Sequence, residues 1–220
     1  MAESLSVRLR ADTASVHRLA ERSGIMRDIL GGRLERSSYV ALLANLYVVY
    51  DALERSIEGQ QASSLLQPFP FAALARRSAL AGDLAVLHGD DWQTAVHPSG
   101  AALAYAHVVN AAEPLQLVAH AYVRYLGDLS GGQALKKVVG RALGLRGSGG
   151  LSFYDFPEIA DLDVFKGQFR ELLDAMTLTP DECDGVVAEA VRAFELNINL
   201  FAAVATQTSS SDAPPLPHGG

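Results

Sequence analysis

The chain has 220 residues, 49% of them apolar and 20% charged, a composition that suits one large globular domain or two small ones with a substantial core. Its net charge of −7 argues against general nucleic-acid binding, which needs surplus Lys and Arg, while leaving room for a local basic patch. The single cysteine, Cys183, excludes an internal disulfide framework and a Cys-based zinc site, and it suits a reducing cytoplasm.

The N-terminal "MAESLSVRLRADT" holds no apolar signal core. From Leu5 to Ser23, Leu5, Leu9, Val16 and Ala20 recur at helical spacing. In that segment His17 and Glu21 stand four apart on one face. A metal-bound histidine usually hands its second ring N–H to a carboxylate or carbonyl, and Glu21 is spaced to take it directly or through water. The plainer reading is an exposed His–Glu pair, the commoner fate of a lone histidine. Ser37 to Glu58 is a second helix, with Tyr39, Leu42, Leu43, Leu46, Tyr47, Tyr50 and Leu53 as a broad apolar stripe. "GQQASSLLQPFPF" reads as a connection. Helices follow at Phe71–His88 and Ala101–Asn110. The longest uncharged run, Gln93 to Ala112, contains His97, Pro98, Gly100, His107 and Asn110 and is a poor membrane span, so no membrane anchor is expected. Helices come next at Leu115–Gly127 and Gly131–Leu143, and "RGSGGLSFYDFP" is the main loop. Leu162–Met176 and Thr179–Ala205 complete the series, the last opening on Thr179 as N-cap, Pro180 at N1 and Glu182 at N3. Nothing alternates as a strand. The expectation is one all-α domain of about eight helices over residues 1–205, with a disordered Ser/Pro/Gly tail over 206–220.

Several chemistries drop out. No glutamate has a histidine three residues later, as a di-iron carboxylate bundle requires. There is no G-x-S-x-G elbow, no P-loop and no dinucleotide fingerprint. Cys183 sits beside Asp181, Glu182 and Asp184, which oppose a thiolate and with it a thiamin-type hydrolase. What stands out is "AYVRYLGDLSGGQALKK", Ala121 to Lys137, where Gly127, Gly131 and Gly132 interrupt good helix formers at about 1 kcal/mol each. Positions 124, 127, 128 and 131 share one helical face, so Gly127 and Gly131 make a bare groove against which something flat and large could lie. Physics alone favours the plainer account, a helix break and restart with Ser130 as N-cap and Gln133 completing a capping box. His120, seven residues before Gly127, is the rival to His17 as a ligand.

"AYVRYLGDLSGGQALKK" closely resembles the signature of the heme oxygenases. So do "TASVHRLAE", "YVVYDALE" (Tyr47–Glu54), "FPEIADLDVFKGQFRELLD" (Phe156–Asp174) and "AFELNINLF" (Ala193–Phe201), in the family's order and spacing from about Leu5 to Ala205. The resemblance implies an all-helical fold holding heme b, both cofactor and substrate, between a proximal and a distal helix. It implies ring opening to biliverdin with O₂ and electrons from a redox partner, releasing CO and ferrous iron. On this pattern His17 is the proximal iron ligand with Glu21 as its partner. Gly127, Ser130, Gly131 and Gly132 belong to the distal helix, and Asp128 organises distal water that can relay protons. Arg10, Lys166 and Arg170 meet the propionates, with Tyr122 as hydroxyl donor. Tyr50, Arg124 and Asn197 resemble the distal polar network, and Phe194 and Phe201 wall residues. Ala14 stands where some members carry another basic residue, which weakens the basic rim. Lys136, Lys137, Arg141 and Arg170 would suit an acidic ferredoxin, flavodoxin or flavoprotein reductase. A cytoplasmic monomer is expected. The competing expectation is a protein of the same fold that binds heme without degrading it.

Overall fold

The computed structural model describes residues 3–147 and 149–211, and the 212–220 part of the expected tail lies outside the described residues. Among them there is no strand, and no helix is long and apolar enough to cross a membrane. The α-helical segments are α1 (Leu5–Asp12), α2 (Ala14–Glu21), α3 (Gly24–Leu30), α4 (Arg36–Gly59), α5 (Phe71–Leu74), α6 (Arg77–Leu87), α7 (Trp92–Ala95), α8 (Gly100–Asn110), α9 (Pro114–Ala121), α10 (Gly127–Leu143), α11 (Leu162–Asp174) and α12 (Pro180–Ser211). A π-helical turn, Tyr122–Leu126, joins α9 to α10, and Ser152–Tyr154 forms a 3₁₀ turn.

α4 is the central beam. Its apolar stripe buries Tyr39, Leu42, Leu43, Leu46, Val49, Tyr50 and Leu53, and α6, α8, α9 and α12 pack around it. α12 closes the other side, starting on the expected capping box: the Thr179 N–H donates to Glu182 Oε2 at 2.7 Å and the Glu182 N–H to Thr179 Oγ1 at 3.3 Å. It continues past Ala205 to Ser211, into the stretch expected to be tail.

Two expected helices are divided. The Leu5–Ser23 segment turns at Thr13, whose hydroxyl donates to the Leu9 carbonyl at 2.6 Å. Phe71–His88 is interrupted at Ala75–Arg76, where the Arg76 side chain, rather than further helix, satisfies local carbonyls: its Nε donates to Leu74 O and Ala75 O. The opposite correction applies at the glycine cluster. No break occurs at Ser130. Helical backbone runs from Pro114 through Leu143, and Gln133 donates to the Tyr154 carbonyl at 2.8 Å instead of completing a cap with Ser130. The one irregularity is the π turn just before Gly127. An extra residue in a turn rotates everything after it by about 100°, and π turns cluster at functional sites.

Candidate active site

α2 and the glycine-bearing start of α10 flank a cleft. Its outer part, about 620 Å³, is lined by Arg10, Thr13, Tyr122, Ser130 and Arg170 among others. Its inner part, about 270 Å³, is walled by Met26, Ile29, Leu42, Leu135, Phe153 and Phe201. His17, Glu21, Val123, Gly127, Gly131 and Phe194 line both, so the two parts are one continuous cleft, polar at its mouth and mostly apolar inside, where Arg124, Asp128 and Asn197 also reach it.

One wall carries the imidazole. The His17 ring stands edge-on to Phe194, centroids 5.4 Å apart, and its side chain is about half exposed to the cleft. Glu21 lies 3.9 Å from His17 Nε2, beyond hydrogen-bond range. Of the two arrangements expected, a direct hydrogen bond is absent and the spacing is that of a water-bridged pair. The facing wall is bare: a Cβ built on Gly127 or Gly131 meets no atom within 4 Å, so these glycines border open space. At Gly132 a Cβ would make ordinary contact with Tyr154 at 3.5 Å. Of the expected ligands only one stands in the cleft. His120 is fully buried, with Nε2 3.0 Å from Glu189 and Nδ1 3.4 Å from the Tyr105 hydroxyl, and the rival assignment fails on that ground.

Behind the glycines lies a buried polar cluster. The Tyr50 hydroxyl donates to the Asp128 carboxylate. Arg124 donates to Tyr50 Oη from Nε at 3.2 Å and Nη2 at 3.0 Å, and to Asn197 Oδ1 from Nη1. Burial raises the Asp128 carboxyl above its ordinary value, against the Arg124 guanidinium and the Tyr50 hydrogen bond. Burial acts to lower Arg124, but Tyr50 and Asp128 outweigh it and the guanidinium is held more firmly protonated. The Tyr125 hydroxyl is buried beside these charges with no protein partner among the described residues, a group that a held water would satisfy.

At the mouth, Arg10, Arg170 and Tyr122 converge. Burial raises the Tyr122 hydroxyl, while the Thr13 hydrogen bond and the nearby Arg170 and Arg10 charges oppose it. Lys166 does not join them. Its Nζ is 2.7 Å from Asp163, and it is absent from the cleft wall. Lys136 is likewise tied, to Asp155, whereas Lys137 and Arg141 are exposed.

Sequence reasoning missed the supports. Glu54 accepts the N–H groups of Arg76 at 2.5 Å and Arg77 at 3.0 Å; Asp83 accepts those of Ser152 and Phe153 at 2.9 and 2.7 Å. Arg76 Nη1 reaches the Phe153 and Asp155 carbonyls. Together these fix the 3₁₀ turn that lends Phe153 to the inner wall. Glu54 had a signal: it falls four residues after Tyr50, on the apolar stripe. Asp83 and Arg76 had none, because their partners are backbone groups of a distant loop.

Comparison with known proteins agrees with this geometry. The family model described as heme oxygenase matches residues 3–203. The heme oxygenase of Porphyra purpurea is 42% identical over 204 residues, 91% of this chain and 86% of that protein. Heme oxygenase 1 of Homo sapiens is 42% identical over 206 residues, 91% of this chain and 72% of that protein. Among solved structures, heme oxygenase-1 of the cyanobacterium Synechocystis sp. PCC6803 in complex with heme superposes with a TM-score of 0.89 at 35% identity, covering 95% of this chain and 96% of that one. The heme oxygenase of Leptospira interrogans superposes at 0.86 and 38% identity, covering 91% and 99%.

Proposed function

The chain belongs to the heme oxygenase family, its function is that of a heme oxygenase, and from this premise we propose which of its residues carry the reaction. The observation that carries the assignment is the pairing of one accessible imidazole, His17, with a glycine wall that leaves room for a plate. A porphyrin fits this donor set: imidazole on one face, bare backbone on the other, apolar walls inside, and cations with a hydroxyl at the mouth. Bound heme supplies the iron at which O₂ is activated and is also the carbon skeleton that is cut, to biliverdin with loss of CO and iron.

His17 would hold the iron through a ring nitrogen, a ligand that pushes less electron density than a thiolate. Arg10, Arg170 and Tyr122 receive the two carboxylates and so fix the plate's rotation in the cleft. Gly127 and Gly131 keep side chains out of the space above the plate, and no strong acid or base stands there. Asp128 lines the inner cleft beside Gly127 and Gly131. Held by Tyr50, it can position water and pass protons without touching the iron. The apolar inner wall excludes bulk water. Electrons come from a redox partner. The exposed Lys137 and Arg141 with Arg170 offer a basic face suited to an acidic ferredoxin, flavodoxin or flavoprotein reductase.

The test is to load the protein with heme, add ascorbate under air, and follow the Soret band while identifying the pigment formed. Loss of the band with a biliverdin product is expected. A stable Soret band under reducing, aerobic conditions would mean a heme-holding protein and overturn the assignment.

A further inference from the structure

Two helices from opposite ends of the chain build the mouth of the cleft, and one contact ties them together. α1 packs against α11. Ser6, buried in the first turn of α1, donates twice to the Asp174 carboxylate at the end of α11: its N–H to Oδ1 at 2.8 Å and its hydroxyl to Oδ2 at 2.8 Å. Arg10 stands four residues after Ser6, and Arg170 four before Asp174, so each cation shares a helix face with its half of the contact. Both cations line the mouth, and both lie near enough to act on the Tyr122 hydroxyl. The buried side chains repeat the spacing, Leu5 and Leu9 in α1 and Phe169 and Leu173 in α11.

Local preference does not explain the pair. A carboxylate at a helix C-terminus meets the negative end of that helix's dipole, so Asp174 is unfavourable for α11 itself. α1 has the opposite need. Its N-cap, Ser4, makes no side-chain capping hydrogen bond, and its first turn holds no acidic residue. The Ser6 N–H is one of the donors that a helix start leaves unpaired. Asp174 thus supplies from another helix what α1 lacks, a charge-assisted cap. The other tie, Arg8 to Asp184 at 2.6 Å, joins α1 to α12 at the surface and does nothing to set α1 against α11.

We propose that Ser6 and Asp174 are positioning residues: their contact latches α1 to α11, sets the spacing of Arg10 and Arg170, and so selects the rotation of the plate and the edge of the ring that is cut. The proposal rests on the carboxylate-binding role given to Arg10 and Arg170 above. Two guanidiniums that share one mouth repel each other while the cleft is empty. With the latch open they separate by moving α1 off α11, and the pair no longer matches one arrangement of the two carboxylates. The loss of one helix cap is enough to change such a preference several-fold.

Asp174→Ala opens the latch. Asp174→Asn closes it again, because the amide oxygen takes the Ser6 N–H and the amide nitrogen can donate to the Ser6 hydroxyl. Asp174 is exposed, so neither change disturbs the core. In heme-free protein, the Ser6 amide should exchange with solvent about tenfold faster or more in Asp174→Ala, and at near wild-type rate in Asp174→Asn. With heme bound, Asp174→Ala should raise the share of minor biliverdin isomers about three- to tenfold while kcat stays within about twofold. Asp174→Asn should keep the wild-type ratio, and so should Asp184→Ala, which frees Arg8 and leaves the latch shut. Unchanged Ser6 exchange or an unchanged isomer ratio in Asp174→Ala overturns the proposal, as does equal scrambling by Asp174→Asn or Asp184→Ala. Arg170→Ala serves as the reference. If it gives the wild-type ratio, the carboxylate-binding role fails and the latch with it. If it scrambles the product while Asp174→Ala does not, the latch alone fails.

Discussion

Gly131 lies in regular helix, and nothing stands within 4 Å of where its Cβ would be. Gly127 has ordinary helical dihedrals, φ −61° and ψ −49°, with the same open space beside it. Neither glycine is needed for the backbone. Helix propensity alone should make Gly131→Ala more stable by about 1 kcal/mol in the heme-free protein. The proposed function accounts for a glycine at that position, since the open space beside it would take the substrate. Gly131→Leu should leave the melting temperature unchanged or higher while heme affinity and biliverdin yield drop; equal affinity for heme would remove the steric role. The same opposition marks His17, which gains little from its neighbours at 3.9 Å from Glu21. His17→Ala should keep its fold and hold some heme, lose ring opening, and recover part of it with added imidazole. Normal turnover without His17 would end its assignment as ligand. At the mouth two of the three expected cations part company. Arg170 lines the cleft and Lys166 is bound to Asp163, so Arg170→Ala should broaden the mixture of biliverdin isomers and Lys166→Ala should not. Chromatography of the two products separates them; equal scrambling by both would return Lys166 to the propionate site beside Arg170.

Helices with one strong apolar stripe were legible to within a few residues: Ser37–Glu58 is α4, and Thr179 opens α12 as expected. Periodicity reports where the apolar stripe lies, and in α4 that stripe marks the most deeply buried side of a helix that α6, α8, α9 and α12 surround. It failed where a single tertiary contact decides. The division at Arg76 depends on carbonyls from another part of the chain, and the continuity through Ser130 depends on Gln133 finding Tyr154 rather than its own cap. α3 is the clearest case, an element outside the expected set. It begins at Gly24, φ +44°, where backbone meets backbone: a Cβ there would lie 2.0 Å from the Phe201 carbonyl oxygen and 2.5 Å from the Ala202 nitrogen of α12. No side-chain rotation relieves that overlap. Gly24→Ala should cost about 2–4 kcal/mol from backbone strain and displaced packing together. Because Met26 and Ile29 of α3 wall the inner cleft, heme affinity should fall with the melting temperature. A melting temperature within a degree of wild type would show that α3 shifts freely on α12.

Across the molecule, the site was legible as a set of residue types and not as an assembly. The His17 segment and the glycine face could be picked out because each carries its chemistry within a few residues. The clamps that bring Phe153 and Tyr154 to the inner cleft join positions far apart in the chain, and no local pattern records them. Burial raises both carboxyls among them, Asp83 and Glu54, and Glu54 can be read by titration. It sits on the central helix and receives the first N–H groups of α6, yet burial outweighs those hydrogen bonds and raises its carboxyl above the ordinary value, with Arg77 and Arg76 also pulling against burial. A carboxyl raised by folding binds its proton more tightly in the folded chain than in the unfolded one. Its contribution to stability is therefore fully present below the unfolded value and lost as pH climbs through the folded one. Glu54→Gln removes that titration and keeps an oxygen for the same N–H groups. Urea unfolding of both proteins, stepped upward from about pH 4.5, the unfolded carboxyl value, should show the wild type losing stability relative to Glu54→Gln as pH rises, with the difference levelling off once the folded carboxyl is ionised. A constant difference across that range would mean that the hydrogen bonds from α6 fully offset burial. A difference running the other way would mean that they exceed it, and that the ionised form is the one the fold is built around.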